Sequence, residues 1–243
     1  MVLPIIGGVC RRLIQYSVNE HPELRIYAQL QQCQLFQGMS QGELLQMAGN
    51  TRFGFQKVLP GVTLLEEGDD CRQLFFLVRG RITVTTRSDD HSYHLSEWLQ
   101  APWLIQPEAL FGVNPRNTYS VRTMAECQFI TLSKDEVLRL QDDFLTFRLN
   151  LLNLLASQGQ RRGRVPWRRS PRTLEERFVR FVVDRVVYPA GHKELYILMK
   201  QLAVELVDTR LNVSRMLNSM QQRGLIELSR GRIDIPMLEH MFV

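Results

Sequence analysis

Near the end of the chain, apolar residues recur at the spacing of one buried helix face: Val213, Met216, Leu217 and Met220 stand at i, i+3, i+4 and i+7. A shorter apolar pair, Leu202 and Leu206, predicts a helix over Gln201–Leu206 just before it. Val207-Asp208 breaks the pattern between them, and Thr209 is a suitable N-cap, because its hydroxyl can accept an orphan backbone N–H. The outward positions of the second helix are polar: Asn212, Arg215, Ser219 and Gln222, with Arg210 at the N-terminal end. Gly224 predicts a left-handed stop. Leu225–Leu228 and Arg232–Ile235 then alternate as two short strands around a turn at Arg230-Gly231. Helix, turn, helix and basic hairpin in this order predict a winged helix-turn-helix over Lys200–Ile235.

The periodicity differs upstream. Leu24–Gln34 suggests a helix, and Ser40 followed by Glu43 is a capping box before a second one. From Arg52 to about Leu132 the pattern changes to short alternating runs separated by Gly, Pro and Asp, including Val62–Leu65, Leu74–Val78, Ile82–Thr86 and Gln128–Leu132. Such runs predict a small barrel or jelly roll. Asp142-Asp143 is a candidate start for the next helix, which carries two apolar sets: Phe144, Phe147, Leu151 and Leu154, and also Leu145, Leu149, Leu152 and Leu155. One side can cover the barrel while the other meets a second copy of the chain, and the first set is assigned to that dimer interface. The competing reading is a helix buried on both sides within one subunit. Gly159–Arg172 has the composition of a hinge, and Thr173 caps a further helix through Val187.

A chain of 243 residues exceeds one average domain, so two are expected. No apolar run is long enough to span a membrane, and in the opening MVLPIIGGVC the charges follow the apolar residues, unlike a secretory signal. A cytoplasmic protein without membrane contact is expected. Net charge is +5, unevenly placed: residues 159–243 hold 16 Lys/Arg against 9 Asp/Glu, residues 1–158 hold 14 against 16. A basic C-terminal part suits phosphate contact. Cys10, Cys33, Cys71 and Cys127 lie too far apart for structural zinc or an iron–sulfur cluster, and the His91/His94 pair is expected to be solvated, so no metal is predicted. No nucleophile–base pair, paired catalytic carboxylates or phosphate loop is visible, and no catalytic residue is assigned.

On these residues the function expected is sequence-specific binding of double-stranded DNA. Thr209, Arg210, Leu211, Asn212, Arg215 and Ser219 on the second helix, with Arg230 and Arg232 on the hairpin, are the expected contacts. A ligand-sensing protein-interaction module without DNA readout is the alternative.

The pieces in this order resemble the CRP/FNR superfamily of bacterial transcription regulators over about residues 33–238. LFQGMSQGEL at 35–44 and PGVTLLEEGDDCRQLFFLVRGRITV at 60–84 carry the N-terminal part of the resemblance, and the helix-turn-helix carries the rest. The resemblance implies an α+β multidomain chain. Residues 1–22 would be an N-terminal segment. A double-stranded β-helix or jelly roll of cyclic-nucleotide-binding type would span 23–141, a dimerisation helix and hinge 142–165, and the winged helix-turn-helix 166–243. It further implies a homodimer on a palindromic operator, with RNA polymerase as a further partner. Family members that bind cyclic nucleotides carry a Gly-Glu pair, then Leu-Phe, then Arg with Ser or Thr. Aligned on Leu110-Phe111, this chain has Gln106-Pro107 for the first pair and Asn117-Thr118 for the last, with Glu108 and Arg116 each one position away. An effector pocket at Gln106, Glu108, Arg116, Asn117 and Thr118 is therefore expected to take a small molecule other than cAMP or cGMP, or nothing. Arg210 and Arg215 match Arg positions of the catabolite-activator branch, while Leu211 stands where that branch has Glu, which implies a different operator.

Overall fold

The computed structural model describes residues 28–242. The first helical turns sit under the barrel. Of the expected 24–34 helix, residues 24–27 lie outside the described residues; residues 28–30 are helical, 31–33 turn, and Gln34 opens the 3-10 turn Gln34–Phe36. Helix α1 (Gln41–Asn50) starts where the capping box predicts: the Ser40 hydroxyl accepts from Glu43 N, and Ser40 N donates to the Glu43 carboxylate at 2.7 Å.

Eight strands follow: β1 (Gly54–Val58), β2 (Thr63–Leu65), β3 (Gln73–Arg79), β4 (Arg81–Arg87), β5 (Tyr93–Gln100), β6 (Trp103–Ile105), β7 (Ser120–Thr123) and β8 (Cys127–Ser133). One sheet runs β1-β8-β3-β6; β5, β4, β7 and β2 lie side by side in the other, and every pairing is antiparallel. Phe75, Leu77, Ile82, Val84, Tyr119, Val121 and Phe129 fill the space between these sheets. This is the jelly roll that the alternating runs predict.

Helix α2 (Lys134–Asp143) ends at Asp142-Asp143, so this pair closes a helix and does not open one. Helix α3 (Leu145–Arg164) follows directly and runs unbroken through Gly159 and Gly163. Both glycines are helical, with no neighbour within 4 Å of an added Cβ, so the hinge expected from Gly159 onward begins only after Arg164, at the 3-10 turn Val165–Trp167. A lone Gly in a helix costs only about 1 kcal/mol relative to Ala, too little to interrupt a 20-residue element.

The expected dimer set is misplaced. Phe144, Phe147 and Leu151 are buried against Phe36, Leu74, Phe76 and Leu132 of their own chain, with Leu154 packed at the edge. Those four side chains hold α3 to the barrel, while Leu145, Leu149 and Leu152 face solvent.

The C-terminal part contains α4 (Leu174–Val183), β9 (Lys193–Ile197), α5 (Met199–Glu205), α6 (Arg210–Gln222), β10 (Glu227–Ser229) and β11 (Arg232–Ile235). Thr173 caps α4 as predicted, though the helix stops at Val183, four residues before Val187. Phe178, Phe181, Val182, Leu202, Val213, Leu217, Met220 and Ile233 form its core. Strand β9 pairs with β11 on one side and with β5 of the barrel on the other, so one seven-stranded sheet, β10-β11-β9-β5-β4-β7-β2, passes through both parts.

A buried ion pair lies on this seam. Glu97 of β5 stands opposite Lys193 of β9 in the register, their charged atoms are 3.4 Å apart, and both side chains are essentially inaccessible. Glu97 also accepts from Val187 N at 2.6 Å and Tyr188 N at 3.1 Å, and Lys193 Nζ donates to Ala190 O at 2.7 Å. Nearby, His94 stacks on Tyr196 and Trp98 on His192, and Arg185 donates to the Tyr93 hydroxyl.

Candidate nucleic-acid interface and effector pocket

The turn between α5 and α6 is built by local chemistry and one long-range clamp. Thr209 accepts from Asn212 N, the cap that its position predicts, and Asp208 Oδ1 accepts from Thr209 N and the Asn212 side-chain amide, each at 2.8 Å. Val207 takes a positive φ of 51°, which bends the chain sharply between the helices. Arg177 of α4 then grips the turn: Nη1 donates to Leu206 O and Val207 O, and Nη2 meets Asp208 Oδ2 at 2.7 Å. The Asn212 amide and the Thr209 N–H, then Arg177, hold the Asp208 carboxyl below its usual range. Arg177 is a positioning residue that local sequence patterns do not expose, because its partners lie about 30 positions away in the chain.

Buried Val213, Leu217 and Met220 turn the opposite face of α6 outward. Arg210, Leu211, Asn212, Arg215 and Ser219 are exposed there, and Asn218 joins them. No ion pair or hydrogen bond engages the Arg210 or Arg215 side chain among the described residues. Gly224, at φ 72°, follows the helix, and Arg230 is exposed at the hairpin turn. Arg232 departs from the expected set. It lies 3.8 Å from both Glu194 and Asp234 across the sheet, so its charge is partly met by its own strands.

Gln106, Asn117 and Thr118 come together in the barrel, but they satisfy one another. Gln106 Nε2 donates to Asn117 Oδ1, Gln106 Oε1 accepts from Thr118 N and Oγ1, and Asn117 Nδ2 donates to Glu66 O. Gln106 N donates to the hydroxyl of buried Tyr119, whose phenol is pushed up by burial and then by the nearby Glu108 charge. Arg116 is not in this group. It is exposed, with Nη1 on Gly68 O and Nε on Asn114 Oδ1. A phosphate entering the cassette would therefore meet amides already paired and no cation. Calorimetric titration with cAMP or cGMP should show no heat of binding, and saturable binding would contradict this account. Glu108 points elsewhere, 3.6 Å from Arg162 of α3.

The thiols of Cys33, Cys71 and Cys127 are buried and form no disulfide among the described residues, and burial pushes Cys33 up to about 12. Cys10 lies outside the described residues. His192, Glu194 and Asp234 cluster closely enough to hold a cation, but His192 already contacts Asp234 at 2.8 Å and Glu194 accepts from the Tyr196 hydroxyl. Among the described residues, no helix is long and apolar enough to cross a membrane.

Residues 55–144 match the cyclic nucleotide-binding domain family. Among solved structures, the chain is similar to the catabolite activator protein of Thermus thermophilus, at 16% identity over 86% of this chain and 96% of that one, with a TM-score of 0.47. A proposed CRP/FNR-family transcriptional regulator from Eubacterium rectale matches at 18% identity over 85% and 95%, with a TM-score of 0.47. The regulator DNR of Pseudomonas aeruginosa matches at 18% over 89% and 96%, with a TM-score of 0.43. No curated protein matches the chain in sequence.

Proposed function

We propose that this chain, whose residues 55–144 carry a domain of the cyclic nucleotide-binding family, is a homodimeric DNA-binding transcription regulator of the CRP/FNR type. One observation carries the reading: α6 stands off a capped and clamped turn with Arg210 and Arg215 facing solvent and unengaged. A helix N-terminus carrying Arg and Asn fits a major groove, where Arg reads guanine edges or holds phosphates and Leu211 can meet a thymine methyl. The hairpin beside it offers Arg230 to the backbone as a wing. Arg232, tied to Glu194 and Asp234, is left out of the contact set.

The experiment is selection of duplexes from a random pool on the full-length protein, followed by anisotropy titration at several salt concentrations. A palindromic consensus with a steep fall of log affinity against log salt supports the reading, because counterion release accompanies phosphate contact. A shallow slope with no consensus would favour the protein-interaction alternative.

The dimer would form through the outer face of α3. Leu145, Leu149 and Leu152 are exposed at i, i+4 and i+7, the seam spacing of paired helices, and two copies joined there would present two α6 helices to successive turns of one groove, about 34 Å apart. Leu149→Glu should convert the dimer to a monomer in analytical ultracentrifugation and abolish tight operator binding, with the melting temperature of the barrel little changed. A dimer that survives this substitution places the interface elsewhere.

A further inference from the structure

We infer that the chain has a ligand site on its C-terminal part, built for a monocarboxylate with an apolar body. This goes beyond DNA binding and is testable without DNA. A cavity of about 580 Å³ lies between the segment 168–173 that precedes α4, one face of α4 and the 3-10 turn Leu238–Phe242. Cavities that take small molecules commonly measure about 300–1,000 Å³. Phe178, Phe181 and Val182 turn one side of α4 into the core. Glu176, Val179, Arg180 and Val183, at i, i+3, i+4 and i+7, stand on another side and line the cavity. None of the lining residues belongs to the barrel, to α3, to α6 or to the hairpin. The site is therefore separate from the nucleotide cassette and from the expected DNA contacts.

The lining selects the ligand class. Pro171, Val179, Val183 and Phe242 give an apolar floor, and each keeps accessible surface. The charges around that floor do not cancel. Glu175 is taken by Arg223 of the α6 terminus, and Glu176 by the Arg172 N–H and by Arg169 at 3.8 Å. Arg168 is taken by Asp184 at 2.9 Å. Arg180 is left. It is half-buried, donates from Nη2 to Arg169 O, and has no ion pair among the described residues. A guanidinium has several N–H donors, and partial burial beside apolar surface raises the cost of a missing counter-ion. A carboxylate suits it, since the planar fork can hold both oxygens at once. One unpaired cation favours one carboxylate, and the apolar floor favours a hydrocarbon or aryl body behind it. Inorganic phosphate would leave that floor in water. A ligand seated there touches α4 and the segment leading out of α3 together, and so holds the linker against the C-terminal part.

The test uses the full chain without DNA, with 4-phenylbutyrate and octanoate as probes and 4-phenylbutyramide and inorganic phosphate as comparisons, read by calorimetry. At least one carboxylate should bind once per chain, with the amide at least about 10-fold weaker and phosphate silent. Arg180→Gln should weaken carboxylate binding about 10-fold or more, and Arg180→Lys should lose less. Phe242→Ala, at an exposed position, should weaken it about 3-fold or more. Thermal melting checks that the variants fold, and substitutions at two independent positions protect the test if one does not. No heat from either carboxylate at millimolar concentration, an amide that binds as tightly, or unchanged affinity in a folded Arg180→Gln or Phe242→Ala variant would overturn the proposal. Binding seen only where dilution separates paired chains would overturn it too, because the groove would then belong to a second copy. Each of these results leaves the DNA-binding experiment unaffected, and a chain that fails to bind DNA can still bind the probe.

Discussion

Replacing Lys193 or Glu97 singly by Ala is expected to lower the stability of the chain by about 3–5 kcal/mol, among the largest effects of any single substitution in this protein. Each change strands the other charge in a site that water does not reach, and Glu97→Ala also orphans the amides of Val187 and Tyr188. Burial pushes the Glu97 carboxyl up and the Lys193 ammonium down, so desolvation works against the pair at both ends and its attraction offsets only part of the cost. The pair is therefore a device of register more than of net stability: it fixes β9 opposite β5 and holds the segment between α4 and β9. The joint variant Glu97→Leu with Lys193→Met should accordingly regain much of the loss. Urea unfolding of the parent, the two single variants and the joint variant decides the matter. Single variants as stable as the parent, or a joint variant no better than the worse single one, would remove the seam from the account.

This prediction bears on function because the seam sets where α6 points relative to the barrel. A regulator that reorients its DNA-reading helices by swinging them about a flexible linker would need the β5–β9 pairing to open, an event with its own free-energy cost. The arrangement described here is accordingly one defined state, in which the linker alone does not control orientation.

Arg215→Ala should weaken binding to the selected operator by about 1–3 kcal/mol, or roughly 5- to 150-fold, with unchanged thermal stability. The stability half of this expectation follows from the structure: the Arg215 side chain is exposed and makes no ion pair within the described residues, so its removal leaves nothing unpaired. The kind of loss distinguishes its role. If Arg215 reads a base, discrimination at one operator position relaxes. If it holds a phosphate, all sequences weaken alike and the salt slope falls by about one. Anisotropy titration of parent and variant against operator and scrambled duplex reads both. Equal affinity of the two proteins for the operator would take Arg215 out of the interface and weaken the whole assignment of α6.

Features written in neighbouring residues are legible in the sequence. The capping box at Ser40 and Glu43, the Thr173 and Thr209 caps, the Gly224 stop and the turn at Arg230-Gly231 all depend on partners within about four positions, and each stands where the pattern places it. The buried stripe of α6 was equally plain, since a helix of period 3.6 has one inward face. The α3 helix shows the limit of the same reasoning. It carries two apolar stripes of similar strength, and periodicity cannot say which one meets the barrel; Phe144, Phe147, Leu151 and Leu154, expected at the dimer interface, pack on the barrel instead. Gly159 and Gly163 misled for a related reason, because helix-breaking tendency is a small energy that a long helix outweighs.

Order and type of the local elements, the polar face of α6 and the mismatch in the nucleotide cassette thus come from the chain's own text, since each rests on short-range geometry or on which residue occupies a given place. The joining of two parts through β5 and β9, the grip of Arg177 on a turn 30 residues away and the pairing of Arg232 with Glu194 and Asp234 across the sheet do not. Those contacts link positions far apart in the chain, and their energies depend on distances and burial that exist only once every element has packed.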